Sequence, residues 1–406
     1  MTTTQHDIAA GAAWPRTVAA PTAAVPRAPV PPGDAGPAPT GILDRVVREA
    51  IAIRCSDIHL AADHPPLLRV HGELRAAESV PRLGEPEVRS VVTSMASRDQ
   101  LARYDADHEL DFAHDVAPGW FARVNVYRQS GRTAMAMRLI PERITTLPEL
   151  GLPPVVASFA ALPRGLVLVT GPTGSGKSMT LAGILDLANR TRNDHILTVE
   201  DPVEYRHRSI RCLVTQREVG DDTASFAASL KHALRQDPDI ILIGEMRDPE
   251  TIQTALTAAE TGHLVLATLH TQDAARSVER IVDSFPGDAR ALVRTQLAGT
   301  LRAIVSQTLC RRADGGGRVP AVEVLMATPA VRALIREGHQ HQLYSTIHSG
   351  GEQGMQTLDQ ALAALVLRNV ITYETALDRA RDVEAFERLC GRGHRAPVGA
   401  RPPGVR

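Results

Sequence analysis

The sequence predicts an α/β protein in which a mainly parallel sheet flanked by helices follows a small α+β domain. Three observations carry that expectation. From about residue 164 to about 390, apolar runs of strand length alternate with helical segments. The stretch VLVTGPTGSGKSMT, residues 167–180, breaks a β-branched run into glycines just ahead of a helical pattern. Residues 41–140 instead mix helical periodicity with short strands punctuated by proline and glycine.

Composition bounds the function. The chain has 406 residues, 43% of them hydrophobic, enough for two or three domains with real cores. Its formal net charge of −1, from 45 basic against 46 acidic residues, leaves no overall electrostatic footprint for a nucleic acid, so no nucleic-acid partner is expected. No apolar stretch approaches the roughly 20 residues of a membrane span, and the amino terminus lacks the basic-then-apolar pattern of a secretory signal, so a cytoplasmic location is expected. The four cysteines, Cys55, Cys212, Cys310 and Cys390, lie far apart with no C-x-x-C pair. They read as small buried hydrophobes, not as metal or redox ligands.

Residues 1–40 are rich in Ala, Pro, Thr and Gly and poor in large apolar side chains. Such a segment cannot bury enough surface to offset its ordering entropy, so a disordered tail is expected there. At Gly41 the pattern changes: ILDRVVREAIAI has helical periodicity, and SDIHL and PPLLRVHGEL predict short strands. A helix is expected near 85–104, followed by the acidic alternation RYDADHELDFAHD over 103–115 and by two strands, WFARVNVYRQ and RTAMAMRLIP. These form the small domain over 41–140. A linker is placed at 141–163, where ERITTLPELGLPPVVASFAALP carries four prolines and room for a short helix or two. The parallel-sheet domain occupies 164–390, and 391–406 returns to Gly, Arg and Pro as a flexible tail. No internal repeat is present.

The loop Gly171-Pro172-Thr173-Gly174-Ser175-Gly176-Lys177-Ser178-Met179 satisfies G-x-x-x-x-G-K-[ST] between the strand-like LVLVT and the helix-like SMTLAGILDLANR. Glycines let successive N–H groups face a phosphate, and the helix N-terminus adds a favourable field. Lys177 reaches the terminal phosphates and Ser178 offers a hydroxyl to Mg²⁺. Hydrolysis also needs carboxylates, which belong at the carboxyl ends of neighbouring parallel strands. HILTVEDPVEY supplies Glu200, with Asp201 and Glu204 as supporting residues, and DIILIGEMRD supplies Glu245, with Arg247 and Asp248 following. Gly244 stands where many nucleotide-binding enzymes carry an Asp, so metal contact falls to Ser178, water or a glutamate. In GHLVLATLHT, His270 ends a strand on the rim where a γ-phosphate would lie, whereas His263 begins it. A sensing or hydrogen-bonding role is expected of His270.

Ser130-Gly131 is an acceptable two-residue hairpin turn, and that register sets Arg123 opposite Arg138 on one face. Directly opposed like charges destabilise a sheet, so the pair reads as half of a site for a polyanion held by the other domain, in the same chain or a neighbouring one.

With these motifs in view, the chain resembles the secretion-superfamily ATPases and, within them, the type IV pilus retraction ATPases, the PilT family, from about Gly41 to about Arg381. SDIHL and RVNVYRQ are similar to that family's PAS-like amino-terminal domain, GPTGSGKS to its Walker A loop, VEDPVEY to its Asp box, DPDIILIGEMRD to its Walker B and TGHLVLATLHT to its His box. LRAIVSQTL, TPAVRALIREG and GMQTLDQ match further stretches, the second in the region linked to retraction. The resemblance implies a RecA-like P-loop ATPase domain behind a PAS-like one. It also implies ATP and Mg²⁺ at Lys177 and Ser178, metal and water positioning shared by Glu200 and Glu245, and a γ-phosphate reached by Arg123 and Arg138.

The function so implied is that of a homo-hexameric motor that hydrolyses ATP to retract a pilus. It would act on an inner-membrane pilus platform protein and meet the inner face of the cytoplasmic membrane only through it. The alternative is a type IV pilus assembly or type II secretion ATPase, but those commonly carry a four-cysteine zinc site that this chain lacks. Three departures stand out: Met179 in place of threonine, Gly299-Thr300 in place of Glu-Ser, and the 40-residue leader.

Overall fold

The computed structural model describes residues 41–70 and 72–391. The tail expected over 1–40, and all but the first residue of that over 391–406, lie outside the described residues.

The first unit opens with α1 (Ile42–Ala52), β1 (Asp57–Ala61), β2 (Leu67–Val70) and β3 (Glu73–Ala76). The single helix expected near 85–104 is two, α2 (Glu85–Met95) and α3 (Arg98–Asp107). Ser97 starts the second helix by a reciprocal cap: its Oγ accepts from the Gln100 amide, and the Gln100 side chain accepts from the Ser97 N–H at 2.8 Å. Then come β4 (Glu109–Ala117), β5 (Trp120–Gln129) and β6 (Arg132–Pro141). The sheet order is β3-β2-β1-β6-β5-β4, antiparallel throughout. Alternate residues of β5 and β6 bury against α1 and α2 in a core that includes Val47, Val88, Val124 and Met137.

The β5–β6 hairpin has the register read from its turn. Ser130 and Gly131 both take positive φ (52° and 76°), the mirror-image turn whose twist suits a two-residue hairpin, and Arg123 lies opposite Arg138. One feature of the pair differs from expectation. The other neighbour of β6 is β1, which sets Asp57 opposite Arg138, and the Arg138 Nε donates to Asp57 Oδ1 at 2.9 Å. The like charges are therefore offset by a carboxylate from a strand distant in sequence.

The connecting segment carries α4 (Pro154–Ser158) and one turn of 3₁₀ helix. The second unit follows as β7 (Gly165–Thr170), α5 (Lys177–Thr191), β8 (His195–Glu200), β9 (Leu213–Glu218), α6 (Phe226–Ala233), β10 (Ile240–Ile243), α7 (Pro249–Thr261), β11 (Leu264–Leu269), α8 (Ala274–Asp283), α9 (Arg290–Thr300), β12 (Leu301–Arg311) and β13 (Arg318–Met326). Strand order is β13-β12-β7-β11-β10-β8-β9, parallel except at the β12–β13 hairpin. Strands β7, β10 and β11 are buried along their whole length, which is why they read as unbroken apolar runs. The chain ends in α10 (Pro329–Glu337), α11 (Leu343–Ser349), α12 (Leu358–Leu367), α13 (Tyr373–Leu377) and α14 (Val383–Leu389). The last three bury Leu362, Ala376 and Phe386 against Cys310, Val319 and Ala321 of the β12–β13 hairpin, a cluster separate from the main core.

The Asp57 contact makes the two arginines unequal. Arg138→Ala leaves the Asp57 carboxylate with the Ser56 hydroxyl still donating to it at 2.8 Å and is expected to destabilise the protein by about 0.5–1 kcal/mol, whereas Arg123→Ala relieves the opposed charge and is expected to be neutral or slightly stabilising. Chemical denaturation of both variants checks the ordering.

Candidate active site

The sheet order places the ends of β12, β7, β11, β10 and β8 side by side, and the segments that follow four of them carry the chemistry. Between β7 and α5, Gly171, Gly174 and Gly176 take φ of 143°, 76° and 88°. A Cβ on Gly171 would stand 2.3 Å from the Gln307 carbonyl oxygen, and one on Gly176 2.8 Å from Gln307 Nε2. Glycine therefore serves both the turn and the close approach of β12. Gln307 Nε2 donates to the Ser175 carbonyl at 2.7 Å, and its Oε1 accepts from the Thr180 hydroxyl at 2.8 Å. Lys177 Nζ donates to the carbonyls of Gly171 (2.9 Å) and Pro172 (3.1 Å). Burial lowers its pKa, with Glu245 and Glu204 opposing that shift. Gln307 escaped the sequence reading; the available signal was Ser-Gln-Thr inside an otherwise apolar strand.

The two principal carboxylates sit in unlike surroundings. Glu200 ends β8 and is buried; desolvation pushes its pKa up to about 7 against hydrogen bonds from Thr198 (2.7 Å) and Gln216 (3.2 Å). Glu245 follows β10 and is also partly desolvated, but Arg247 at 2.7 Å and His270 Nε2 at 3.1 Å hold it below the usual carboxylate range. Gly244 has a local reason: a Cβ there would stand 3.2 Å from both the Glu200 Cα and the Val199 carbonyl oxygen. The Asp common at this place in other enzymes would press on the strand that carries Glu200.

One cleft of about 830 Å³ gathers these groups. The loop residues Thr173, Gly174, Gly176, Lys177, Ser178 and Met179 line it, as do Glu200, Asp201, Glu204, Glu245, Arg247 and His270. Arg138 of the first unit lines it as well. Arg123 is not part of that lining within its own chain; the expectation for the pair is a polyanion held by the same chain or a neighbouring one. Neighbouring strands stand about 4.8 Å apart, and only the β6 side chain reaches the cleft wall; Arg123 lies near Glu218, where it opposes the upward push of burial on that carboxyl. Gly171, Pro172 and Ser175 support the loop from outside the lining. His263, at the far end of β11, bonds to the Ala258 carbonyl at 2.9 Å and takes no part in the cleft. Unforeseen lining residues include Glu149 and Leu150 of the connecting segment and Leu309, Arg318 and Pro320 of the β12–β13 hairpin.

The comparisons agree with this geometry. The family described as type II/IV secretion system protein matches residues 34–319. The chain is 48% identical over 331 residues to the type IV pilus retraction ATPase PilT of Pseudomonas aeruginosa, covering 82% of this chain and 96% of that protein. It is 47% identical over 321 residues to a twitching motility protein of Neisseria gonorrhoeae, covering 79% and 86% respectively. The crystal structure of the pilus retraction motor PilT with bound ADP superposes with a TM-score of 0.80 at 43% identity, over 86% of this chain and 100% of that one. The chain therefore belongs to the type II/IV secretion system proteins and, within them, to the type IV pilus retraction ATPase family.

Proposed function

We propose that the chain works as a homo-hexameric motor in which ATP hydrolysis drives pilus retraction through an inner-membrane platform protein. One observation carries the mechanism: Arg138, from the first sheet, lines the same cleft as Lys177, Glu200, Glu245 and His270. Residues 41–140 and 164–390 are taken as two domains joined by 141–163. Holding a terminal phosphate and bringing the two domains together are then one event. Coverage of 96% of the Pseudomonas relative favours retraction over the assembly or type II secretion alternative. No helix among the described residues is long and apolar enough to cross a membrane.

Each residue has a task that its surroundings support. Lys177, curled onto two loop carbonyls, turns to the β- and γ-phosphates, and the free loop N–H groups take the remaining oxygens. Glu245 stays ionised beside Arg247 and His270, which orients it and lets His270 register the γ-phosphate. Glu200, with its pKa near 7, is matched to accept a proton from attacking water. The Ser178 hydroxyl and the cleft carboxylates are hard oxygen donors suited to Mg²⁺, with Ser178 and Glu245 as its protein contacts. When bound, that ion neutralises charge on the phosphates.

Lys177→Ala is expected to abolish ATP turnover, and Glu245→Ala to retain nucleotide binding while kcat falls about 10²-fold or more. A coupled ATPase assay beside equilibrium binding separates the two, and turnover of Glu245→Ala at the wild-type rate would refute its role.

Sedimentation with nucleotide is expected to show hexamers. Because Arg138 lines the cleft of its own chain, mixing Arg138→Ala with Lys177→Ala subunits is expected to give no recovery of activity. Recovery in demonstrably mixed rings would place the arginine across a subunit boundary. In cells, deletion of the gene is expected to leave excess pili and no twitching; bare cells would indicate assembly instead.

A stability measurement tests the state of Glu200. Its native pKa near 7 exceeds the ordinary 4.5, so between those values the folded chain holds more protons than the unfolded one. Stability therefore falls as pH rises through that window and levels off above it. Glu200→Gln is expected to be more stable than wild type at about pH 8, by on the order of 2 kcal/mol, with the gain shrinking toward about pH 4.5. Thermal denaturation at the two pH values reads this directly; a gain independent of pH would show that Glu200 is ionised throughout.

A further inference from the structure

We infer that Arg381, in the turn between α13 and α14, is a positioning residue for ATP hydrolysis that fixes the backbone carrying His270. The inference rests on the ATPase reading above. His270 follows the last residue of β11, and Thr271, Gln272 and Asp273 then lead into α8. Arg381 donates through one guanidinium nitrogen to the Gln272 carbonyl and through the other to Glu323 Oε2 at 2.8 Å. Glu323, on β13, is 1% exposed, and its Oε1 accepts from the Ala274 N–H at 2.9 Å. The turn after His270 is thus gripped at both ends, at the Gln272 carbonyl by Arg381 and at the Ala274 amide by Glu323, and the two gripping side chains are paired with each other.

Arg381 is itself held from the carboxyl-terminal helices. Its backbone N–H donates to Asp359 Oδ1 at 2.8 Å, and Asp359 Oδ2 accepts from the Tyr344 hydroxyl at 3.2 Å. A continuous set of contacts therefore runs from Asp359 on α12 through Arg381 and Gln272 to His270, which meets Glu245 at 3.1 Å. Among the described residues the imidazole has Glu245 as its one side-chain contact, so its place there depends on where the backbone at Gln272 is held.

A buried ion pair that served only the fold should become dispensable once both charges are removed together, because the large penalty comes from leaving one of them unpaired. The double variant Glu323→Gln/Arg381→Met does this while keeping an acceptor for Ala274, and Asp273, which Arg381 also approaches at 3.7 Å, keeps Arg276 at 3.4 Å as its partner. Relative to Glu323→Gln alone, it is expected to melt at a similar temperature and bind ATP with unchanged Kd, but to lose about 10- to 100-fold in kcat, the scale of a misplacement near 1 Å. Adding His270→Ala to the double is expected to cost little more, since the histidine is already misplaced. Arg381→Lys offers a second route that retains the charge against Glu323 but lacks the fork needed to hold Gln272 at the same time; it is expected to keep KM while kcat falls. Turnover of the double within twofold of Glu323→Gln, wild-type turnover of Arg381→Lys, or a full multiplicative loss on adding His270→Ala would each overturn the inference. A wild-type chain without ATP turnover would instead remove the ATPase reading, before any variant is compared.

Discussion

A loop shaped to take phosphate on its backbone must leave most of its N–H groups without internal partners, so much of its shape has to be imposed from outside. Here the register between β7 and β12 imposes it. Thr170 pairs with Ser306, their hydroxyls 2.8 Å apart in the buried sheet, and Gln307 thereby falls over the loop. Its amide then bonds to Ser175 on the loop and to Thr180 on the first turns of α5, while its carbonyl leaves Gly171 no room for a side chain. On the other side of β7, Leu269 of β11 also pairs with Thr170, which brings His270 level with the start of the loop. The site is a consequence of strand register, as expected where parallel strands end together.

Register alone does not divide labour between the two glutamates; burial and charge do. Both are desolvated, yet Glu245 has a guanidinium and an imidazole beside it and Glu200 has only neutral donors. The same burial therefore yields one carboxyl below its ordinary range and one near 7. Environments that push paired carboxyls apart are those in which one can act as a charge and the other as a proton acceptor. Gly244 belongs to this arrangement, because the approach of its backbone to Glu200 is what lets the two strand ends lie so near each other.

What was legible in the sequence is what neighbours in the chain determine. The phosphate loop, the apolar central strands and the Ser130-Gly131 hairpin all follow from local residue types, and the hairpin register proved right to the residue. The break between α2 and α3 is also local, written in the reciprocal cap of Ser97 and Gln100. Other features depend on contacts that span the chain. Asp57 reaches Arg138 through a strand pairing between residues 81 apart, and Gln307 meets Thr180 across 127. Nothing in the composition of either segment names its partner. The divergence of Arg123 from Arg138 has the same origin, since which of two neighbouring strands faces the cleft is decided by how the two units dock.

That docking is of a particular kind. Beyond Glu200, the segment at Arg206 and Arg208 turns to the first unit: Arg206 pairs with Asp115 and lies 4.6 Å over the Phe121 ring, and Arg208 pairs with Glu142 at 2.7 Å. Arg103 and Asp221 add a looser pair at 4.0 Å. Most of these side chains are exposed, Arg206 and Glu142 being half-buried, and exposed ion pairs contribute little individually, about 1 kcal/mol at most. The apolar cores of the two units, by contrast, are separate clusters that share no residues. Two rigid cores joined by weak polar contacts can change their relative placement at small cost while neither core is disturbed. The contacts that would be remade lie a few residues along the chain from Glu200, and Arg138 rides on the first core into the cleft. What the cleft holds therefore bears on the same stretch of chain that carries the polar contacts between the two units.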